Sequence, residues 1–175
     1  YILCVLENGH LGQLYFGKRL HDKADFSYLV EKCERPMTSY IYEWDRTFSL
    51  EHIRQEYPVY GTTDYRHPAI ELLQENGKSK LSGLPATYTE SEGEAQTLRI
   101  YLKDALTGAK LALLYTIFDE YSAIARSAYI ENAGEKNLHV LNMMSLSLDL
   151  PDKDYEWMQL SGAFSREKNK KNRTL

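Results

Sequence analysis

TLRIYLKDALTGAKLALLYTIF, residues 97–118, reads as two strands and the turn that joins them. Leu98, Ile100 and Leu102 alternate with Arg99, Tyr101 and Lys103, the two-residue period of a strand with one face in a core and the other in water. Asp104 to Gly108 carries turn chemistry, and residues 109–118 then run apolar on both faces, the pattern of a strand lying between two layers. Downstream, residues 122–132 and 138–148 read as further strands, with Ala133-Gly134-Glu135-Lys136-Asn137 expected to close a hairpin between them.

The same grammar extends upstream. Residues 1–6 and 11–16 are strand-forming runs on either side of Asn8-Gly9, a pair whose residues both accept positive φ and so favour a hairpin. Residues 69–74 read as a strand ending in the turn Glu75-Asn76-Gly77. Residues 78–88 hold Gly83-Leu84-Pro85 and fit an irregular connection or an edge strand, and residues 90–94 are a polar turn. Residues 26–30 fit a strand or a short helix, and Pro36 forbids one continuous element through that region. Strands joined by turn clusters, without intervening long helices, predict an all-β antiparallel sandwich and oppose a parallel α/β fold.

One stretch resists this reading. WDRTFSLEHIRQEYPVYGTTDYRHP, residues 44–68, packs aromatic rings, the pair Asp45-Arg46, two prolines and a Gly-Thr-Thr-Asp turn into a span with no clean period. Ser49 could cap one or two helical turns that Pro58 would end. An aperiodic span of this kind is expected outside the core, as an elaborated loop of the sort that carries binding groups.

Composition narrows the partners. Hydrophobic residues make up 43% and charged residues 26% of the 175, which suits one globular domain with a real core. Fourteen tyrosines against five phenylalanines favour rings with a polar end, at home on sheet faces and on sugar-contacting surfaces. A net charge of -4 opposes nucleic acid or an anionic membrane as the main partner, and the basic run 166–173 is read as a solvated tail. No apolar run has the length of a membrane helix. Cys4 and Cys33 are unpatterned and read as free thiols of a reducing, cytoplasmic setting. The chain opens at Tyr1 inside a strand and closes in a charged segment, and is expected to be a piece of a longer polypeptide.

Chemistry is harder to find. His10, His21, His52, His67 and His139 lack the spacing of a zinc site, and residues 152–156 begin like a calcium loop but place Trp157 where the turn glycine belongs. No phosphate loop or nucleophile elbow is present. Asp45 with Asp64 is a carboxylate pair of the type hydrolysis uses, yet nothing near either suggests the desolvation that would raise one pKa for general-acid work. No catalytic residue, metal or cofactor is expected in this chain.

DRTFSL at 45–50, QEYPVYGTTDYRHPA at 55–69, LSGLPATY at 81–88 and MSLSLDLPDKDYEWMQLSGAFSRE at 144–167 together resemble the amino-terminal domain of bacterial family 36 α-galactosidases, in that family's order and over nearly the whole chain. The resemblance implies that residues 1–175 form a single β-supersandwich domain. A (β/α)8 catalytic barrel would follow in an enzyme that releases terminal α-galactose from melibiose and raffinose with retention. In such enzymes two carboxylates serve as nucleophile and acid/base; here both would be aspartates on the barrel, leaving this fragment inactive alone. It further implies a homotetramer, contacts with the barrel and with neighbouring subunits, and no cofactor. Arg46 would lie near the sugar with Asp45 beside it, its rigid fork of donors suited to hydroxyls and carboxylates; the alternative is that Arg46 simply pairs with Asp45 or a nearby glutamate. Relatives place an aspartate near Val30 or Glu31 of this chain, and carry a longer stretch where Gly77 meets Lys78, so a mobile loop is expected there. The competing functional reading is a free-standing carbohydrate-binding sandwich.

Overall fold

The computed structural model describes residues 1–21, 25–34, 43–60, 64–77, 87–91, 96–151 and 153–174. Among them run ten strands: β1 (Ile2–Val5), β2 (Leu11–Tyr15), β3 (Ile70–Gln74), β4 (Thr87–Ser91), β5 (Gln96–Lys103), β6 (Ala109–Phe118), β7 (Ala123–Asn132), β8 (Leu138–Met143), β9 (Glu156–Ala163) and β10 (Arg166–Thr174). Every pairing between them is antiparallel. The only helical elements in these residues are two single 3-10 turns, Ser27–Leu29 and Asp119–Tyr121, the first of which occupies the segment read as strand or short helix. The fold is all-β and antiparallel, as the strand grammar requires.

One layer is the sheet β4-β5-β6-β7. It forms by local meander: Asp104 accepts hydrogen bonds from Thr107 N and Oγ1 at the β5–β6 turn, and Gly108 takes φ +77° there, a conformation glycine adopts without steric cost. The facing layer joins β1-β2 to β3-β8. Leu11, Ile70 and Leu72 from that layer meet Ile100, Leu102, Leu111, Leu113 and Tyr115 from the meander in one core, which is the interdigitation of inner faces that stabilises a β-sandwich.

Four readings change. β6 is central within its sheet, but only the face carrying Ala109, Leu111, Leu113 and Tyr115 is buried; the opposite face is half open. The link after β7 is no hairpin, because β8 crosses to the other layer and pairs with β3, Ile70 opposite Met143 and Gln74 opposite Leu138. A period-2 pattern reports which face of a strand is buried and not which strand lies beside it. The basic segment expected as a tail is the strand β10, hydrogen-bonded along β9 though fully exposed. Glu90 and Ser91, expected in a polar turn, belong to β4, and the rest of that expected turn, residues 92–95, lies outside the described residues.

The largest correction concerns residues 44–68, expected outside the core. Phe48, Leu50, Ile53, Gln55, Glu56, Tyr57 and Val59 are all buried. This segment is the mortar of the second layer: Gln13 N donates to Arg54 O and Glu56 N to Leu11 O, while Ala69 N donates to Pro58 O and Val59 bridges Ile70. Its two extended pieces serve different neighbours, β2 on one side and β3 on the other, so no single period runs through it. Ser49 caps no helix; its carbonyl accepts from His52 N and Ile53 N in one isolated turn. The Gly-Thr-Thr part of the turn, residues 61–63, lies outside the described residues, as do residues 78–86 and Asp152.

Candidate functional site

The expected sugar-side residues sit where the buried segment begins. Phe48 is anchored with Leu6, Leu50 and Ile53 in a second small core, against which Cys4 and Val30 pack. Just before this anchor, Glu43 and Trp44 take φ +46° and +68°, consecutive left-handed conformations that cost about 1 kcal/mol or more each outside glycine. The backbone bend holds Trp44 outward, 91% exposed.

Asp45 is the bracket of this loop. Its carboxylate accepts hydrogen bonds from Thr47 N at 2.8 Å and Thr47 Oγ1 at 2.6 Å, and these bonds, helped by Lys32 Nζ at 3.5 Å, hold its carboxyl below the ordinary aspartate range. Lys32 is in turn ion-paired to Glu7 on the β1–β2 turn. Arg46 is exposed and has no ion pair among the described residues. The structure thus gives Asp45 to Thr47 and Lys32 rather than to Arg46, and leaves both Arg46 and Trp44, two residues before it, exposed. A guanidinium can hydrogen-bond to ring hydroxyls, and an indole can stack on a polar ring. Of the two residues expected near an aspartate of some relatives, Glu31 reaches Arg54 at 3.5 Å and Val30 packs against the small core.

Asp64 goes elsewhere. Arg66 Nε donates to its Oδ1 at 2.9 Å, and Gln55 Nε2 to its Oδ2 at 2.5 Å. The same guanidinium donates through Nη1 to Asp149 at 2.6 Å and through Nη2 to the carbonyls of Leu50 and Ile53 at 2.7 and 2.8 Å. Arg66 is a rivet that fastens the segment to the chain after β8, and Asp64, tied to that cation, is not half of a hydrolytic pair with Asp45.

Sequence reading missed a third cluster. Glu56, fully buried, accepts hydrogen bonds from the phenols of Tyr1 and Tyr115, the latter at 2.7 Å, and is ion-paired to Arg126 on β7. Arg126 also lies over the Tyr115 ring, 4.9 Å from its centroid. Burial pushes the Glu56 carboxyl up, against the pull of the phenols and the guanidinium, and burial with the Glu56 charge pushes both phenols well above their ordinary value. The residues lie just before β1, on the buried segment, on β6 and on β7, so no local motif announces them. Glu56 is a single acid with cationic and phenolic partners, which is the chemistry of a clamp between layers.

A match to the glycosyl hydrolase family 36 N-terminal domain runs from residue 9 to residue 175. The chain belongs to that family. This family 36 domain is 39% identical over 184 aligned residues to the α-galactosidase AgaA of Geobacillus stearothermophilus, covering 96% of this chain and 25% of AgaA. The aligned span exceeds the 175 residues here, so AgaA carries residues that this domain lacks; Lys78, beside which the longer stretch was expected, is outside the described residues. The crystal structure of the α-galactosidase from Lactobacillus brevis superposes with a TM-score of 0.90 at 30% identity, covering 100% of this chain and 26% of that one. An AgaA variant crystallised with raffinose matches with a TM-score of 0.83 at 38% identity, over 99% of this chain and 26% of its own. The family 36 domain therefore spans about a quarter of the length of these relatives.

Proposed function

We propose that this domain is the non-catalytic amino-terminal part of an α-galactosidase that removes terminal α-galactosyl groups from raffinose-type oligosaccharides. The observation carrying the reading is the family match across residues 9–175 together with a raffinose-bound relative at 38% identity. The reacting carboxylates belong to the remaining three quarters of the parent protein, a (β/α)8 barrel, and this domain braces that barrel within a cytoplasmic homotetramer. Arg46 lies at the sugar-site mouth and donates to substrate hydroxyls, with Asp45 fixing the loop that presents it. Its exposure, and the absence of an ion-pair partner among the described residues, favour that role over a structural one.

The test is kinetic, on the full-length protein. Hydrolysis of raffinose is expected, and Arg46→Ala should raise KM for raffinose by about tenfold or more, the worth of a hydrogen bond from a charged donor, without lowering the melting temperature. A full-length protein inert toward α-galactosides would end the enzymatic reading. An unchanged KM would remove Arg46 from the site.

A further inference from the structure

The loop that carries Arg46 is held from two sides. Downstream, Phe48 is 1% exposed and seated in the small core with Leu6, Leu50 and Ile53. Upstream, the bonds from Thr47 N and Oγ1 to Asp45 Oδ1 join residues two apart. Such bonds shape a loop, as in an Asx turn, but do not fasten it to the rest of the domain. Among the described residues, the contact of Asp45 that reaches outside the loop is its ion pair with Lys32, whose Nζ lies 3.5 Å from Oδ2.

Lys32 is itself placed by its surroundings. Val30 packs against the small core, Glu31 reaches Arg54 at 3.5 Å, and the Lys32 ammonium is ion-paired to Glu7 on the β1–β2 turn. Glu7, Lys32 and Asp45 form a short ladder of alternating charge that ties the Arg46 loop to the first hairpin, across sequence separations of 25 and 13 residues. The bond to Glu7 raises the ammonium's pKa, while the bonds from Thr47, then the charge of Lys32, lower that of Asp45. The pair is therefore ionised throughout neutral pH, and salt rather than pH is what loosens it. Side-chain exposures of 42% for Lys32 and 32% for Asp45 put the link where an ion pair adds little to stability. Its consequence lies in where it points the loop, because a guanidinium's donors are directional and a small misplacement weakens what they bind.

We propose that Lys32 is a positioning residue for Arg46, acting through Asp45 to set the angle at which the guanidinium meets substrate. This deepens, and rests on, the proposed place of Arg46 at the sugar-site mouth. The experiment is steady-state hydrolysis of raffinose by the full-length protein and its variants, at low and high salt. Lys32→Met should raise KM by about two- to fivefold, the worth of a partly exposed ion pair, with kcat and the melting temperature kept. Lys32→Arg should restore most of the loss. In an Arg46→Ala background the same Lys32→Met change should add nothing, because a positioning residue has no effect once the group it positions is gone. Salt should bring the KM of the unmodified protein towards that of Lys32→Met and leave the variant's own value where it was. Asp45→Asn keeps an oxygen for Thr47 but removes the charge that Lys32 holds, so it should reproduce the rise in KM even where Lys32→Met does not fold.

A KM for Lys32→Met equal to that of the unmodified protein, or a rise of the same size with and without Arg46, would overturn the role of Lys32 and leave that of Arg46 standing. An unaltered KM in Arg46→Ala would overturn the placement of Arg46 and this inference with it.

Discussion

Replacing Arg126 by methionine removes the cation ion-paired to Glu56 while keeping much of the length of the side chain. The pair is deep: the side chains of Glu56 and Arg126 are 0% and 10% exposed. Stripping one partner from a buried ion pair costs about 3–5 kcal/mol. A ceiling follows from the acid itself, since the orphaned carboxyl can take up a proton, which at pH 7 and an ordinary glutamate pKa near 4.3 costs about 3.7 kcal/mol. The expected loss for Arg126→Met is therefore about 3–4 kcal/mol at pH 7. Its pH dependence has a defined sign. In the variant the folded-state pKa of Glu56 lies above the unfolded value, so the folded protein binds the extra proton and the deficit shrinks as pH falls, by about 1.4 kcal/mol per unit. At pH 5.5 about 1–1.6 kcal/mol should remain. Urea denaturation at both pH values, read by far-ultraviolet circular dichroism, measures this; Trp44 and Trp157 are both exposed when folded and would report little. A loss under 1 kcal/mol at pH 7, or one that does not change with pH, would refute the clamp, and Glu56→Gln combined with Arg126→Met should recover part of the single-variant loss.

Tyr57, whose phenol donates to the Met144 carbonyl at 2.8 Å and is pushed by burial up to about 12, should stay neutral in an ultraviolet titration long after exposed tyrosines ionise, and Tyr57→Phe should cost about 1–3 kcal/mol by orphaning that carbonyl. Burial lowers the pKa of His10, so the unfolded chain gains a proton that the folded one refuses. Stability from this group is complete above its ordinary value near 6.5 and declines as pH falls below it, and His10→Gln should flatten a plot of unfolding midpoint against pH between 7 and 5. A Cβ on Gly134 would meet the Thr107 carbonyl oxygen at 2.1 Å, so Gly134→Ala must push two backbone turns apart and should lower the urea midpoint by the equivalent of about 1–3 kcal/mol.

What could be read in the amino acids was whatever is written locally. The alternation at Leu98, Ile100 and Leu102 and the turns at Asn8-Gly9, Asn76-Gly77 and Thr107-Gly108 each specify geometry within a few residues, and β1, β2, β3, β5, β6 and β7 follow from them. Partnership across the chain was not written that way. Arg126 gives no sign that its carboxylate lies 70 residues upstream, and Arg66 none that it will hold Asp149. Residues 44–68 misled for a related reason: their burial alternates between neighbours, so a segment bonded on two sides looks like a loop. Asp45 and Arg46 stood out through resemblance, and the strained display of Trp44 needed the backbone angles.

The pairing of β3 with β8 also sets a schedule for synthesis. Ile70 cannot meet Met143 until that residue has left the ribosome, a wait of roughly 4–15 seconds at ordinary elongation rates. During that interval β3 has the Val59 bridge but lacks its β8 pairing, while β5, β6 and β7 can already fold as a meander of neighbours. Nascent chains halted before residue 138 should accordingly be the ones that chaperones hold.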